Sequence, residues 1–273
     1  MSIRQKLTWR VMAVERRLSG QLVPARKKGG GGGKQSSKSE DVAPKRQSTA
    51  APVPPVEEID IPHLKERGLF RGPENVPALD ELGGKTKAGK LDSLNKWLGK
   101  CSRCVLHKEC NHIVFGEGNA EARLVFVGEG PGADEDATGR PFVGRAGQLL
   151  DKMIEAMGLR REEVYICNVV KCRPPNNRAP NTDEVAVCGP VLFRQLEIIQ
   201  PELIVSLGSP ALVTLLERKE GITKMRGRLF RYGKSLLLPT YHPAYLLRNP
   251  PEKKTVWQDL KLACAVLGIA PKS

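Results

Sequence analysis

The chain has 273 residues, 40 % of them hydrophobic, and 44 Lys and Arg against 30 Asp and Glu give it a formal charge of +14. That length suits one ordinary domain with a tail, or two small ones, and the sign of the charge favours a polyanionic partner, nucleic acid first. No apolar run reaches membrane-spanning length, and seven cysteines without a secretory signal argue against a disulfide scaffold and for a reducing, cytoplasmic setting.

The first 50 residues hold 12 basic and 3 acidic side chains, a net of +9, so much of the excess charge is tail. Ile3, Leu7, Val11, Val14, Leu18 and Leu22 mark an amphipathic helix with a basic opposite face, a candidate docking helix or phosphate-binding arm. Gly29–Gly33 and the Ser, Lys, Pro and Ala stretch to about Pro55 read as a flexible linker. The expected organisation is a basic arm and linker over 1–55, an irregular connecting segment over 56–90 and one folded domain over 91–273.

Within that domain, Leu91–Leu98 predicts a short helix, Leu124–Gly128 a buried strand ending in a Gly-rich turn, and Ala146–Met157 a helix. Val164–Asn168 predicts a second strand, and the run from Thr182 to Ile199 a long helix. Leu203–Leu207 and Leu236–Thr240 are further strands, separated by a helix over Pro210–Leu216; Val256, Leu260, Ala263 and Leu267 give a C-terminal helix one apolar face. Strands alternating with helices imply an α/β fold, a three-layer α/β/α sandwich around a mostly parallel four-stranded sheet. Sites in such sheets lie at the carboxyl ends of the strands, which gathers Glu129–Gly132, Asn168–Cys172, Gly208 and Tyr241–Leu247 around one mouth.

Four cysteines carry the strongest chemical signal: Cys101 and Cys104 as C-S-R-C, then Cys172 and Cys188 downstream. If the fold brings them together, an all-sulfur set suits zinc or an iron–sulfur cluster, and spacing does not choose between them. A local site from Cys101, Cys104, His107 and Cys110 is a competing arrangement. Cys167 and Cys264 read as buried core thiols. The turn Gly128-Glu129-Gly130-Pro131-Gly132 lets backbone approach a ligand closely and can offer amides to a developing oxyanion, although such turns alone say little.

The segments G-E-G-P-G-A-D-E-D-A-T-G-R-P-F-V-G-R-A-G-Q-L-L (128–150), N-V-V-K-C-R-P-P-N-N-R (168–178) and H-P-A-Y-L-L-R-N-P (242–250), with the four cysteines, resemble the family 4 uracil-DNA glycosylases, the iron–sulfur branch of their superfamily. The resemblance spans about residues 95–267 and leaves the tail outside it. It implies a monofunctional enzyme that hydrolyses the N-glycosidic bond of uracil in single- and double-stranded DNA and so starts base excision repair. It also implies a structural [4Fe–4S] cluster on Cys101, Cys104, Cys172 and Cys188, with zinc as the alternative.

Under that resemblance Phe142 is the plate on which an everted base stacks. Asn168 reads the base edge, since a carboxamide offers one donor and one acceptor to uracil's O4 and N3–H. His242, with loop amides such as that of Gly130, stabilises the negative charge that develops near O2. Glu135 is the carboxylate expected to orient water or to shape the pocket against a methyl group, with Asp134, Asp136 and Glu129 as rivals. Leu246 or Leu247 would fill the gap left by the flipped nucleotide, while Arg248, Arg226 and Arg228 contact phosphates. Arg173 and Arg178 would be ordered against DNA by the cluster. A monomer is expected. The alternative is a relative that holds uracil or abasic DNA without turnover. Covalently trapping relatives carry a basic loop ending in His, and residues 221–233 contain Arg226 and Arg228 but no His.

Overall fold

The computed structural model describes residues 53–59, 61, 76–218 and 220–272. The amphipathic helix expected over residues 3–22 and most of the linker lie outside the described residues. Helices α1 (Lys87–Leu98), α2 (Ala133–Thr138), α3 (Arg145–Ala156), α4 (Thr182–Ile199), α5 (Ser209–Leu216), α6 (Ile222–Met225), α7 (Pro243–Arg248) and α8 (Lys253–Leu267) surround seven strands. These are β1 (Val56–Glu57), β2 (Glu117–Gly118), β3 (Leu124–Gly128), β4 (Tyr165–Asn168), β5 (Leu203–Leu207), β6 (Leu229–Tyr232) and β7 (Ser235–Thr240).

The strand order is β1-β6-β7-β5-β3-β4-β2. The four strands read from the sequence form its contiguous parallel centre, β7-β5-β3-β4. Three short strands extend it to seven: β6 runs antiparallel on β7, β2 antiparallel on β4, and β1 parallel on β6. They escape a periodicity argument because two have only two residues each, and a pair of residues has no alternation to read. β1 also draws the folded unit back to Val56, inside the segment expected to be irregular, where Glu57 pairs with Arg228 and Glu58 with Arg231.

Alternation along β3 explains the layers. Leu124 and Phe126 enter one apolar cluster with Leu150, Ile154, Leu260 and Leu267, from α3 and α8. Val125 and Val127 enter the other with Leu94, Leu192, Leu196 and Leu212, from α1, α4 and α5. Burying each such side chain contributes about 1.5–3 kcal/mol before the entropy cost of ordering it. Helix α4 starts where the sequence places it, because Glu184 accepts the backbone N–H of Asn181 at 2.7 Å and fixes the first turn.

This topology creates the crevice. After β3 the chain passes to the α3 side of the sheet, and after β5 to the α5 side. Neighbouring strands whose connections leave in opposite directions part at their carboxyl ends. Gly128 and Asn168 end their strands at this edge, and Gly208 and the segment from Tyr241 follow directly after theirs.

Candidate active site

Asn168 is the last residue of β4 and stands in register with Gly128, the last residue of β3. A Cβ at Gly128 would lie 2.3 Å from Asn168 Oδ1 and 2.5 Å from Phe142 Cζ, so a glycine here is a steric requirement. The Phe142 and His242 rings are 5.5 Å apart, tilted by 33°. Asn168, Phe142 and His242, from three separate segments, are therefore neighbours over a backbone without a side chain.

Asn168 is 1 % exposed, and its Oδ1 is a buried acceptor with no hydrogen-bond partner. Leaving such an atom unpaired costs about 1–3 kcal/mol, which is expected where a ligand supplies the missing donor. Phe142 has a positive φ of 52°, a backbone region costly for a bulky residue. Its loop is clamped from two sides. Arg161 Nη1 donates to the Phe142 carbonyl at 3.2 Å. Gly147 of α3 sits beneath it so closely that a Cβ there would be 2.0 Å from that carbonyl carbon.

His242 opens α7, and its Nδ1 accepts the Ala244 N–H at 3.1 Å. That bond assigns the ring proton to Nε2, which is left as a donor. Burial pushes the His242 pKa down to about 4, helped by the Arg248 guanidinium and opposed by the Glu135 carboxylate. The imidazole is thus neutral near pH 7.

The four carboxylates of the first loop differ in what they touch. Glu135 Oε1 accepts the N–H groups of Val143 and Gly144 at 2.8 and 2.9 Å, and Oε2 accepts that of Gly132 at 3.0 Å. This carboxylate pins the Phe142 loop to the Gly-rich turn. Asp136 is buried and takes the Asn111 N–H at 3.0 Å together with that residue's side-chain amide. Asp134 packs against Gly144, where a Cβ would meet its Oδ2 at 2.5 Å. Glu129, next to Gly128, is half-buried, its carboxylate has no hydrogen-bond or ion-pair partner among the described residues, and its pKa is raised by burial. At Gly130, a Cβ would meet Val170 Cγ2 at 2.8 Å, which ties the turn to the segment after β4.

The expected DNA contacts separate. Leu246 is 1 % exposed within the core, so it is not available as a wedge, whereas Leu247 is half-buried. Arg226 is not free for phosphate either: it is held by Asp259, and its Nη2 donates to the Thr255 carbonyl at 3.0 Å. Arg228 is partly exposed but paired with Glu57, and Arg248 is exposed. Arg178 grips the buried Glu184 with two bonds of 2.6 and 2.8 Å, and Arg173 Nε donates to Asn177 Oδ1 at 2.7 Å.

Cys101, Cys104, Cys172 and Cys188 line one small pocket with Leu98, Leu106, Ile113, Val187 and Val191. As the side chains stand, no group of three or more His, Cys, Asp or Glu among the described residues is arranged to hold a metal ion. His107 also borders the pocket, while Cys110 stands beside it, its thiol hydrogen-bonded to that of Cys172. The Cys172 thiol is pushed up by that bond and by burial, Cys188 up to about 11 by burial, and Cys104 up by burial. Binding any metal here must displace those protons. Four sulfurs in an apolar cradle fit an iron–sulfur cluster chemically.

Gly147 is a site-shaping residue that motif reading passed over; its signal is a glycine within a helix, which costs stability unless backbone must approach there. Gly208, which the strand-end argument already placed at the mouth, has φ of 85°, and a Cβ there would meet that of His242 at 3.1 Å.

The fold, the strand-end crevice and the polar pair facing an aromatic plate define a site for a flat, hydrogen-bonding ligand. Residues 115–261 match the model of the uracil DNA glycosylase superfamily. A type-4 uracil-DNA glycosylase of Thermotoga maritima is 49 % identical over 182 residues, 65 % of this chain and 95 % of that protein. Those of Saccharolobus solfataricus and Archaeoglobus fulgidus are each 45 % identical, over 66 % and 63 % of this chain and 88 % and 90 % of their own lengths. The chain belongs to the uracil-DNA glycosylase superfamily and, within it, to the type-4 family.

Proposed function

We propose that this protein is a monofunctional uracil-DNA glycosylase that acts on single- and double-stranded DNA. The observation that carries the reading is the unpartnered, buried Oδ1 of Asn168, set beside Phe142 and His242. Uracil's N3–H supplies the missing donor, and the amide's N–H₂ donates to O4. Cytosine presents the reverse pattern, leaves both partners unpaired and is rejected. Phe142 recovers part of the unstacking cost of the flipped nucleotide.

The C1′–N1 bond breaks with its electrons passing into the base, toward O2. The neutral His242 donates from Nε2 to that oxygen, and loop amides such as Gly130 N–H add to the stabilisation. Water then bonds to C1′ of the oxocarbenium-like sugar. We assign Glu129, half-buried beside Gly128, to orient that water and take its proton; Glu135 and Asp136 are committed to amides, and Asp134 is exposed on α2. Leu247 fills the vacated stack, and Arg248 contacts phosphate. The four-cysteine pocket is read as the seat of a structural [4Fe–4S] cluster, supported by the type-4 relatives and by its four thiols, with zinc as the alternative. When bound it ties the residues around Cys101 to the segment after Asn168; the residues above carry the chemistry. The protein works as a cytoplasmic monomer, with the basic arm adding DNA affinity.

Release of uracil from single- and double-stranded oligonucleotides tests the reading. Wild type should turn over repeatedly, and His242→Ala and Asn168→Ala should each lose on the order of 10²–10³ in rate with unchanged thermal unfolding. Normal rates in both variants would overturn the site, and stoichiometric retention of DNA by wild type would instead favour a binding protein. The His-free loop over 221–233, with Arg226 bound to Asp259, supports turnover.

A further inference from the structure

We infer that Lys171 is a positioning residue: it ties the four-thiol pocket to Asn168 and sets the direction of the amide that reads the base. The inference rests on the reading of Asn168 given above and extends it to a residue that touches neither substrate nor metal.

Lys171 is 1 % exposed, among the largest fully buried side chains of the molecule. Its Nζ donates to the Asn168 backbone carbonyl at 2.8 Å and to Gln195 Oε1 at 2.6 Å. Gln195, also fully buried, is held in turn by donating Nε2 to the Phe115 carbonyl at 2.8 Å and to the Tyr165 hydroxyl at 3.3 Å. The other end of Lys171 faces the cysteines. Its backbone N–H donates to Cys188 Sγ at 3.3 Å, its carbonyl accepts from Val114 N–H at 2.8 Å, and its side chain borders the thiol pocket.

A lysine is among the most expensive side chains to bury, and no carboxylate forms an ion pair with Lys171 among the described residues. A leucine or methionine would fill the same space more cheaply. What lysine adds is the bond back to residue 168. That bond fixes the peptide plane following Asn168, while Val169 and Val170 donate to the carbonyls of Gly128 and Glu129 at 3.0 and 3.1 Å. The segment from 168 to 171 is thereby held through the Asn168 and Lys171 carbonyls and the N–H groups of Val169, Val170 and Lys171, next to the unpartnered Asn168 Oδ1. Cys172 follows directly, so order in the thiol pocket is transmitted to the reader through a few rigid bonds. Loss of alignment at a reading group is costly even when the group itself is retained.

The test is a double-mutant cycle on the full chain: Lys171→Met, alone and with Asn168→Ala, read by single-turnover uracil release, thermal unfolding and the rate at which a chelator removes bound iron. Lys171→Met should slow release roughly tenfold or more in the wild-type background but less than about twofold with Asn168→Ala. It should also speed iron loss. Equal losses in both backgrounds, or no loss in either, would overturn the inference, since a merely structural lysine gives additive effects. If Lys171→Met does not fold, Gln195→Met, which keeps the lysine and removes its outer acceptor, decides by the same cycle. A wild type that releases no uracil would fail the earlier reading of function alone. The iron-loss rates would then decide the tie to the pocket: faster loss in the variant upholds it, and an unchanged rate overturns it.

Discussion

A neutral imidazole with a fixed tautomer is a better partner for a developing anion than a titrating one, because its donor is present across the working range. His242 is built this way: Nδ1 is occupied by Ala244 N–H, and burial and Arg248 hold its pKa near 4. Two consequences follow at the level of this residue. Uracil release should show no loss attributable to histidine protonation from neutral pH down to about pH 5, and should fall only as His242 gains a proton near pH 4, measured as a single-turnover rate profile. Its depressed pKa also links to stability. The unfolded histidine, with a pKa near 6.5, binds a proton that the folded one refuses, so stability falls as pH drops from about 6.5 toward 4 and is unaffected by this group above that window. Replacing His242 with Asn should reduce that dependence in urea unfolding. Gly128 gives a simpler outcome. Gly128→Ala drives a methyl into both Asn168 Oδ1 and Phe142, and uracil release should fall by at least about tenfold through lost alignment, with the fold intact by circular dichroism.

At the level of elements, α2 and the loop after it act as one clamp. Glu135 lies in α2, yet its carboxylate accepts amides on both sides of the turn, at Gly132 and at Val143–Gly144. Glu135→Gln replaces one acceptor with an N–H₂ that faces another donor. It should cost about 1–3 kcal/mol in unfolding free energy and slow uracil release with it. A water-orienting Glu135 would lose rate without losing stability, so parallel measurement separates the two roles. Glu129→Gln should show the converse: lower rate, unchanged thermal midpoint. Helix α7 makes a similar division among its leucines. Leu246 and Leu247 are adjacent, and consecutive positions on a helix point about a quarter-turn apart, so one enters the core and the other stays half-buried.

For the molecule as a whole, the thiol pocket joins chain segments that lie far apart in sequence, beside α1 and α4. Cys188→Ala should abolish the visible absorption and most of the bound iron of the purified protein, lower its thermal midpoint and reduce uracil release. Retention of iron would point to Cys110, which already contacts Cys172, as a replacement ligand.

How much of this was legible depends on whether a signal is local. The four central strands, the long helix from Thr182 to Ile199 and the Gly-rich turn each declare themselves within a few residues, because periodicity, capping and backbone freedom are short-range properties. The motifs around Gly128, Asn168 and His242 likewise pointed to the family to which the chain belongs. Tertiary structure alone decided that Glu135 and Asp136 are committed to amides, which leucine is buried, and that Arg226 is spent on Asp259. It also places the buried Lys171 with its Nζ on the Asn168 carbonyl and its backbone N–H on Cys188 Sγ. The Arg226–Asp259 pair and the Lys171–Gln195 bond join residues many positions apart, and a hydrogen bond or a burial is a property of the pair, which neither residue carries in its own sequence neighbourhood.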